Sequence, residues 1–240
     1  MVLLYRKNNV ESTINIMKII AVIPAFNEGK VIAKVINQLK NYINIDNIIV
    51  INDGSKDNTV EQARKEGAKV YTHYINRGLG GALGTGMEAA LLNGADIAVT
   101  LDADNQHNPA EIKKLIAPII NNQADVVIGS RFLNSQKMPF IRKIYNWTAN
   151  FCTWLIFGVW TTDSQSGFRA FSKTAMQKIE IKTNKMEVSS EIIKEIKGHK
   201  LRIKEVPIEA IYTEYSMSKG QNFIEGLKTV MRLILLRFRK

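Results

Sequence analysis

The chain has 240 residues, 45% of them hydrophobic, which suits one domain with a continuous core. A single cysteine, Cys152, excludes a disulfide framework within the chain. The net charge of +11 comes without a nucleic-acid-binding motif, so a phosphate-bearing substrate or an anionic membrane explains it better than nucleic acid.

Apolar runs and helical periods alternate through the first 130 residues. The apolar runs predict five strands, at residues 17–23, 47–51, 68–73, 96–101 and 124–129. The segments between them predict helices at 29–39, 59–66, 86–93 and 109–121. This alternation predicts an α/β fold, with a mostly parallel central sheet and helices on both faces.

The second half follows a different pattern. Residues 140–160 predict a pair of amphipathic helices, interfacial or half-buried, with Trp147, Trp154 and Trp160 and flanking basic residues, a composition typical of a headgroup boundary. A helix around 190–197 and a strand at 202–206 follow. Residues 223–240 predict a basic amphipathic helix, either associated with a membrane or packed on the core with a solvated basic face. No run reaches the ~20 apolar residues of a membrane-spanning helix.

Polar clusters follow the predicted strands, at 24–28, 52–55, 76–80 and 102–107. The carboxyl ends of parallel strands meet at one edge of a sheet, where ligands bind in such folds. We therefore expect these clusters to form one site.

Asp102 and Asp104 come directly after a predicted strand, with Gln106 two residues further on. Such a pair can share one divalent cation, although a structural turn is the alternative interpretation. The spacing does not fit a calcium loop, because His107 stands at the glycine position and Lys113 at the bidentate glutamate position. Magnesium or manganese with phosphate ligands fits better.

The other clusters allow two interpretations each. Asp53 either caps a turn or accepts a hydrogen bond from a base, and Glu28 either begins a helix or binds ribose or base. The glycine-rich segment 76–86 does not match a phosphate-binding loop, so its glycines favour close approach to a ligand or tight helix packing. His107 is a candidate for a metal or phosphate contact, while His73 and His199 are interpreted as structural.

Together these motifs resemble glycosyltransferase family 2 on the GT-A fold, and most closely its dolichol- and polyprenyl-phosphate glycosyltransferase branch. The matching segments are IPAFNE at 23–28, NDGSKDNT at 52–59, NRGLG at 76–80, LDADNQH at 101–107, GSR at 129–131, SGFR at 166–169, VPI at 206–208 and SK at 218–219. The resemblance covers nearly all of residues 17–222, which we expect to form a single GT-A domain.

The resemblance implies roles for individual residues. Those expected to bind the nucleotide are Pro24, Ala25, Asn27, Glu28, Asp53, Gly80 and Asp102. Those expected to hold the metal are Asp102, Asp104 and Gln106. Those expected to meet the acceptor and its phosphate are Arg131, Arg142, Lys143, Ser166, Arg169 and Lys219. Asp104, Arg131 and Glu191 are the expected catalytic residues.

The implied reaction moves a sugar from GDP-mannose, UDP-glucose or UDP-N-acetylglucosamine to a polyprenyl (dolichyl) phosphate, with Mg²⁺ or Mn²⁺, inverting the anomeric carbon. We expect peripheral attachment to the cytoplasmic face of a membrane, with room for a membrane-protein partner or a homo-oligomer. If the acceptor were a glycan hydroxyl, a base would be needed, with Asp163 and Glu191 as candidates. A non-catalytic nucleotide-binding scaffold is the third alternative.

Two positions depart from the pattern of the mannosyltransferases in this branch. Thr213 stands where they usually carry an arginine, and Asn-Trp-Thr-Ala-Asn at 146–150 replaces Ser-Arg-Gly-Ala-Asn. Both positions bear on contacts with donor or acceptor, so the sequence leaves the sugar open.

Overall fold

The computed structural model of the chain describes residues 17–44, 47–134, 140–209 and 211. Its strands are β1 (Ile19–Ala25), β2 (Ile48–Asn52), β3 (Lys69–Thr72), β4 (Ile97–Thr100), β5 (Val126–Ser130), β6 (Arg169–Ser172) and β7 (Ile203–Pro207). Its α-helices are α1 (Ile32–Leu39), α2 (Thr59–Lys65), α3 (Gly78–Leu92), α4 (Ile112–Ile120), α5 (Phe140–Phe157), α6 (Lys173–Lys178) and α7 (Val188–Gly198). In these described segments, we find no helix that combines the length and the apolar character needed to cross a membrane.

The seven strands form one sheet in the order β3-β2-β1-β4-β6-β5-β7. All neighbouring strands are parallel except at β6, which runs antiparallel to both β4 and β5. The predicted mostly parallel sheet is therefore confirmed. The antiparallel strand was not predicted. It has only four residues, the first three of which are buried, so its sequence shows no alternation of apolar and polar residues.

Helices cover both faces of the sheet, as predicted. On one face Leu39 of α1 and Ile116 of α4 belong to a single buried cluster. On the other face Met87 of α3 and Ile192 of α7 belong to a second cluster. The central strands are buried on both sides, which explains why their sequences are almost continuously apolar.

Two helices differ from the prediction. Helix α3 begins at Gly78, well before residue 86, and the buried Gly80 and Gly81 lie in its first turn. The predicted helix pair at 140–160 is wrong: α5 is one helix of 18 residues. No glycine or proline interrupts it, and Gly158, with φ of +65°, follows its last residue.

The predicted helix at 223–240, together with Thr213 and Lys219, lies outside the described residues. Its membrane-associating role stays a prediction.

The packing of α3 on β1 gives a test of this fold. A Cβ at Gly86 would overlap Cγ1 of Val22, whereas a Cβ at Gly84, on the same helix, would make only an ordinary 3.7 Å contact with Ile181. We expect Gly86→Ala to lower the free energy of unfolding by about 1–3 kcal/mol. Gly84→Ala should leave it unchanged or raise it by up to about 1 kcal/mol. Denaturant unfolding of both variants checks this, and equal effects would contradict the described packing.

Candidate active site

The loops that follow β1 and β2 are locked together by hydrogen bonds at the carboxyl edge of the sheet. The Asn27 backbone N–H donates to Ser55 Oγ at 2.9 Å, and the Lys56 N–H donates to Asn27 Oδ1 at 2.9 Å. The Glu28 N–H donates to Thr59 Oγ1 at 2.8 Å. Asn27 adopts a positive φ of 55°, which asparagine tolerates better than most residues. The segment expected to bind the nucleotide is therefore held rigidly.

Asp53 is buried, and its carboxylate holds the turn that leads into α3. Oδ1 accepts hydrogen bonds from the Arg77 N–H at 2.8 Å and from His73 Nδ1 at 2.8 Å, and Oδ2 accepts from the Gly78 N–H at 2.7 Å. His73 Nε2 lies 3.0 Å from Thr85 Oγ1. His73, interpreted from the sequence as structural, is thus an immediate partner of a predicted site residue.

The glycines at the start of α3 allow a second segment of the chain to approach it closely. A Cβ at Gly80 would overlap the carbonyl oxygen of Thr183, and one at Gly78 would overlap that of Asn184. The Gly80 N–H donates to the Asn184 carbonyl at 2.9 Å. Gly80, expected to meet the nucleotide, therefore packs against residues 183–184 of its own chain.

Glu191 fixes that same segment from the other side. Its carboxylate is 2% exposed and accepts hydrogen bonds from the Lys182 N–H at 3.1 Å and the Thr183 N–H at 3.0 Å. The Thr183 hydroxyl also donates to it at 2.6 Å. The structure brings Glu191 and Gly80 together through this segment, and the Glu191 carboxylate is already engaged with the chain.

The acidic pair lies beyond the end of β4. His107 Nε2 lies 3.1 Å from Asp102 Oδ2, and the His107 ring packs against Phe168 with centroids 4.9 Å apart. The Gln106 backbone N–H donates to Asp104 Oδ1 at 3.0 Å, and the Gln106 side-chain amide also donates to Asp104. His107, a candidate for a metal or phosphate contact, here contacts the carboxylate of Asp102.

The two carboxyl groups differ in their electrostatic environment. Burial alone would raise the pKa of Asp102, but the hydrogen bond and charge of His107 and the charges of two arginines outweigh it and lower that pKa. Burial, followed by repulsion from Asp102, raises the pKa of Asp104. The Asp102 carboxyl therefore loses its proton more readily than the Asp104 carboxyl.

Gly167 provides the space that Asp102 occupies. A Cβ at this position would overlap both carboxylate oxygens of Asp102. The Gly167 carbonyl is held by the Thr100 hydroxyl at 2.8 Å. Asp102, Pro24, Ser166 and Arg169 line one cavity of about 50 Å³, so the structure gathers predicted residues from three separate segments.

Arg131 is oriented by a fully buried carboxylate, that of Asp163. Arg131 Nε donates to Asp163 Oδ2 at 2.7 Å and Nη2 donates to Oδ1 at 2.7 Å, and the Arg131 backbone N–H donates to Oδ2 at 3.0 Å. This bidentate geometry fixes the plane of the guanidinium. The Arg131 charge also acts on Asp102, which places the two residues in one electrostatic environment.

Arg169 and Ser166 have structural contacts in this site. Arg169 is 2% exposed and donates to the carbonyls of Ser164 at 2.6 Å, Ser166 at 2.8 Å and Ser189 at 3.3 Å. Burial lowers the pKa of Arg169 to about 10, so it remains charged at neutral pH. Lys143 is exposed on α5, and the Arg142 side chain lies outside the described part of the chain.

The donor set fits a hard divalent cation that takes further ligands from phosphates. In the described ranges, no three His, Cys, Asp or Glu side chains are grouped to hold a metal alone. The candidate ligands are therefore two carboxylates that repel each other, those of Asp102 and Asp104, and the side-chain amide of Gln106. Mg²⁺ is commonly bound by one or two carboxylates together with substrate phosphates.

The acidic pair, at the edge of a mostly parallel sheet and with a buried arginine beside it, is suited to bind a divalent cation together with phosphate groups. Residues 20–180 match the family model Glycosyl transferase family 2, and the chain belongs to this family.

Relatives of known activity differ in the sugar that they transfer. The chain is 44% identical to UDP-N-acetylglucosamine–dolichyl-phosphate N-acetylglucosaminyltransferase of Methanococcus voltae, over 91% of this chain and 96% of that one. It is 31% identical to dolichol-phosphate mannosyltransferase of Pyrococcus furiosus, over 91% of this chain and 64% of that one.

A solved structure confirms the GT-A-like fold. Glucosyl-3-phosphoglycerate synthase of Mycobacterium tuberculosis, in complex with Mn²⁺, UDP-glucose and phosphoglyceric acid, is similar with a TM-score of 0.75 and 20% identity. The similarity covers 96% of this chain and 82% of that one.

The fit between Gly167 and Asp102 can be tested by adding one methyl group. We expect Gly167→Ala to displace the Asp102 carboxylate while the backbone stays in place, because the overlapping atoms are the end of a side chain. Binding of UDP or GDP with Mn²⁺, measured by calorimetry, should weaken at least about tenfold, or about 1.4 kcal/mol. Gly198→Ala, which meets nothing within 4 Å, is the control. Unchanged binding in Gly167→Ala would contradict the assignment of Asp102.

Proposed function

We propose that this protein transfers a sugar from a nucleotide sugar to a polyprenyl (dolichyl) phosphate. UDP-N-acetylglucosamine is the donor to test first, because the Methanococcus voltae enzyme that is named for this donor is 44% identical over 91% of this chain. GDP-mannose and UDP-glucose are the alternatives.

The state of the two candidate bases supports a phosphate acceptor. A hydroxyl acceptor needs a base to remove its proton, whereas a phosphate monoester is already anionic near neutral pH. Asp163 is fully buried with both oxygens on Arg131, and Glu191 is 2% exposed and accepts three hydrogen bonds. With both carboxylates committed to other contacts, an acceptor that needs no base fits this site best.

Asp102, Asp104 and Gln106 would hold a divalent cation, Mg²⁺ or Mn²⁺. When bound, the cation supplies charge neutralisation for the departing diphosphate. Asp53 and the loops after β1 and β2 shape the nucleotide side, where Asp53 holds the turn at Arg77 and Gly78. Arg131 already bonds to Asp163 through Nε and Nη2. Its guanidinium charge would attract the acceptor phosphate and offset the repulsion of that phosphate from the donor phosphates.

Helix α5 and the residues just after it present a candidate membrane-binding surface, here called the aromatic face. It is made of Trp147, Phe151, Trp154 and Leu155 on the helix and of Trp160, which follows the helix. All five side chains are exposed. Ring centroids lie 5.7 Å apart for Trp147 and Phe151, 5.8 Å for Phe151 and Trp154, and 6.2 Å for Trp154 and Trp160. Lys143 is exposed on the same helix. Clustered aromatic residues with a neighbouring cation match the headgroup region of an anionic bilayer, so we propose peripheral attachment there.

The reaction is tested with purified protein, labelled nucleotide sugars, a polyprenyl phosphate and Mn²⁺ or Mg²⁺. We expect one donor to pass label into the organic phase, and Asp104→Asn to reduce the rate at least about 100-fold because it removes a cation ligand. The same variant should unfold a few degrees higher without the cation, since it removes a charge whose burial, followed by repulsion from Asp102, raises the pKa of Asp104. Donor binding without transfer to lipid phosphate would refute the proposed acceptor.

Attachment through the aromatic face is tested by co-sedimentation with anionic vesicles. We expect Trp147→Ser together with Trp154→Ser to reduce partitioning at least about tenfold, because each buried aromatic side chain contributes about 1.5–3 kcal/mol. Leu92→Ser changes a side chain that is 81% exposed elsewhere and serves as the control. Equal partitioning of the double variant and the wild type would argue against this surface.

A further inference from the structure

Asn150 lies on the inner side of α5 and grips the segment 162–164. Its side chain is buried, with 4% exposure. Nδ2 donates to the Thr162 carbonyl at 2.6 Å, and Oδ1 accepts from the Ser164 N–H at 2.8 Å. One amide therefore satisfies the backbone on both sides of Asp163, in the way that a neighbouring strand would.

The residue between these two hydrogen bonds is the one that orients Arg131. The Asp163 carboxylate accepts from Nε and Nη2 of Arg131, each at 2.7 Å. On its outer side Glu205 accepts from the Thr162 N–H at 2.8 Å and from the Asp163 N–H at 3.2 Å. Asn150 and Glu205 thus fix the backbone that carries Asp163, and Asp163 fixes the guanidinium.

We propose that Asn150 is a positioning residue, which acts through Asp163 to set the direction of the Arg131 guanidinium toward the acceptor phosphate. This rests on the proposed function for the role of Arg131, but the hydrogen bonds of Asn150 to the backbone on either side of Asp163 do not depend on it. In the part of the chain that the structure describes, the Asn150 side chain bonds to the backbones of Thr162 and Ser164, neither of which is an expected nucleotide or metal ligand. Its loss should therefore impair use of the acceptor and spare binding of the nucleotide.

The position of Asn150 on α5 gives the contact a further consequence. The aromatic face lies on the exposed side of this helix, while Asn150 and Thr153 lie on the buried side, where the Thr153 hydroxyl meets Ser190 Oγ at 2.8 Å. One helix therefore carries the proposed membrane surface on its exposed side and Asn150 on its buried side. Asn150 in turn holds the segment whose Asp163 orients Arg131, the residue that would meet the lipid phosphate.

The kinetic test compares Asn150→Ala with Asn37→Ala, which makes the same change at an exposed position of α1, where Oδ1 accepts a hydrogen bond from Lys40 Nζ at 2.8 Å. We expect Asn150→Ala to lower kcat/KM for polyprenyl phosphate about 10–100-fold while the Kd of UDP with Mn²⁺ changes less than about twofold. Combined with Arg131→Ala, it should add little to the loss from Arg131→Ala alone, because both act through one contact. Asn37→Ala should match the wild type.

A spectroscopic test holds whatever the acceptor proves to be. The Arg131 Nε–H resonance, assigned with Arg131→Lys in a proton–nitrogen spectrum of the arginine side chains, reports the hydrogen bond to Asp163. We expect Asn150→Ala to shift or broaden it, and Asn37→Ala to leave it unchanged. If the wild type transfers nothing to lipid phosphate, the proposed function fails and this resonance still decides the positioning role.

Three results would overturn the proposal: an unchanged Arg131 resonance in Asn150→Ala, an additive double variant, or a loss of nucleotide binding as large as the loss of acceptor use. The last would mark Asn150 as a residue that merely stabilises the fold.

Discussion

Strand β6 runs antiparallel between β4 and β5, and its first residue, Arg169, therefore lies beside Thr100 at the end of β4. Because of this register, the residues just before β6 reach the same edge as the acidic pair. Gly167 falls against Asp102, where only a residue without a side chain leaves room for the carboxylate. With a parallel strand in this position, the segment that leads into β6 and carries Asp163 and Ser166 would lie at the opposite edge of the sheet.

The same register sets the balance of charge. Arg169 remains charged although it is buried, because three carbonyl groups accept its hydrogen bonds and two acidic residues lie nearby. Arg131 is held by Asp163, and both arginines lower the pKa of Asp102. The site thus combines two arginine charges, which would attract an anionic acceptor, with a carboxylate pair, which would hold a cation. An acceptor that is already anionic needs no base to remove a proton, so this arrangement is consistent with a phosphate acceptor.

Much of the fold could be predicted from the sequence, because β1, β2, β4 and β5 are buried on both faces and read as apolar runs. The contacts of the site could be predicted only in part. His73 follows β3 as Asp53 follows β2, and Asn52 pairs with Thr72, so their contact was predictable from the strand register. The hydrogen bonds of Glu191 to residues 182–183 depend on the path of a loop, which no local pattern encodes. The hydrogen bonds of Asn150 to residues 162 and 164 could not be predicted either, because they require residues 140–157 to form one helix.

The central claim is that the nucleophile is a phosphate, which Arg131 directs and no base activates. The most direct measurement compares a polyprenyl phosphate with the corresponding polyprenol as acceptor, at equal concentrations in the same vesicles and with the same donor. We predict that the phosphate accepts the sugar and that the alcohol gives no product above background, because both Asp163 and Glu191 are engaged with the chain. Comparable rates with the alcohol would contradict this account.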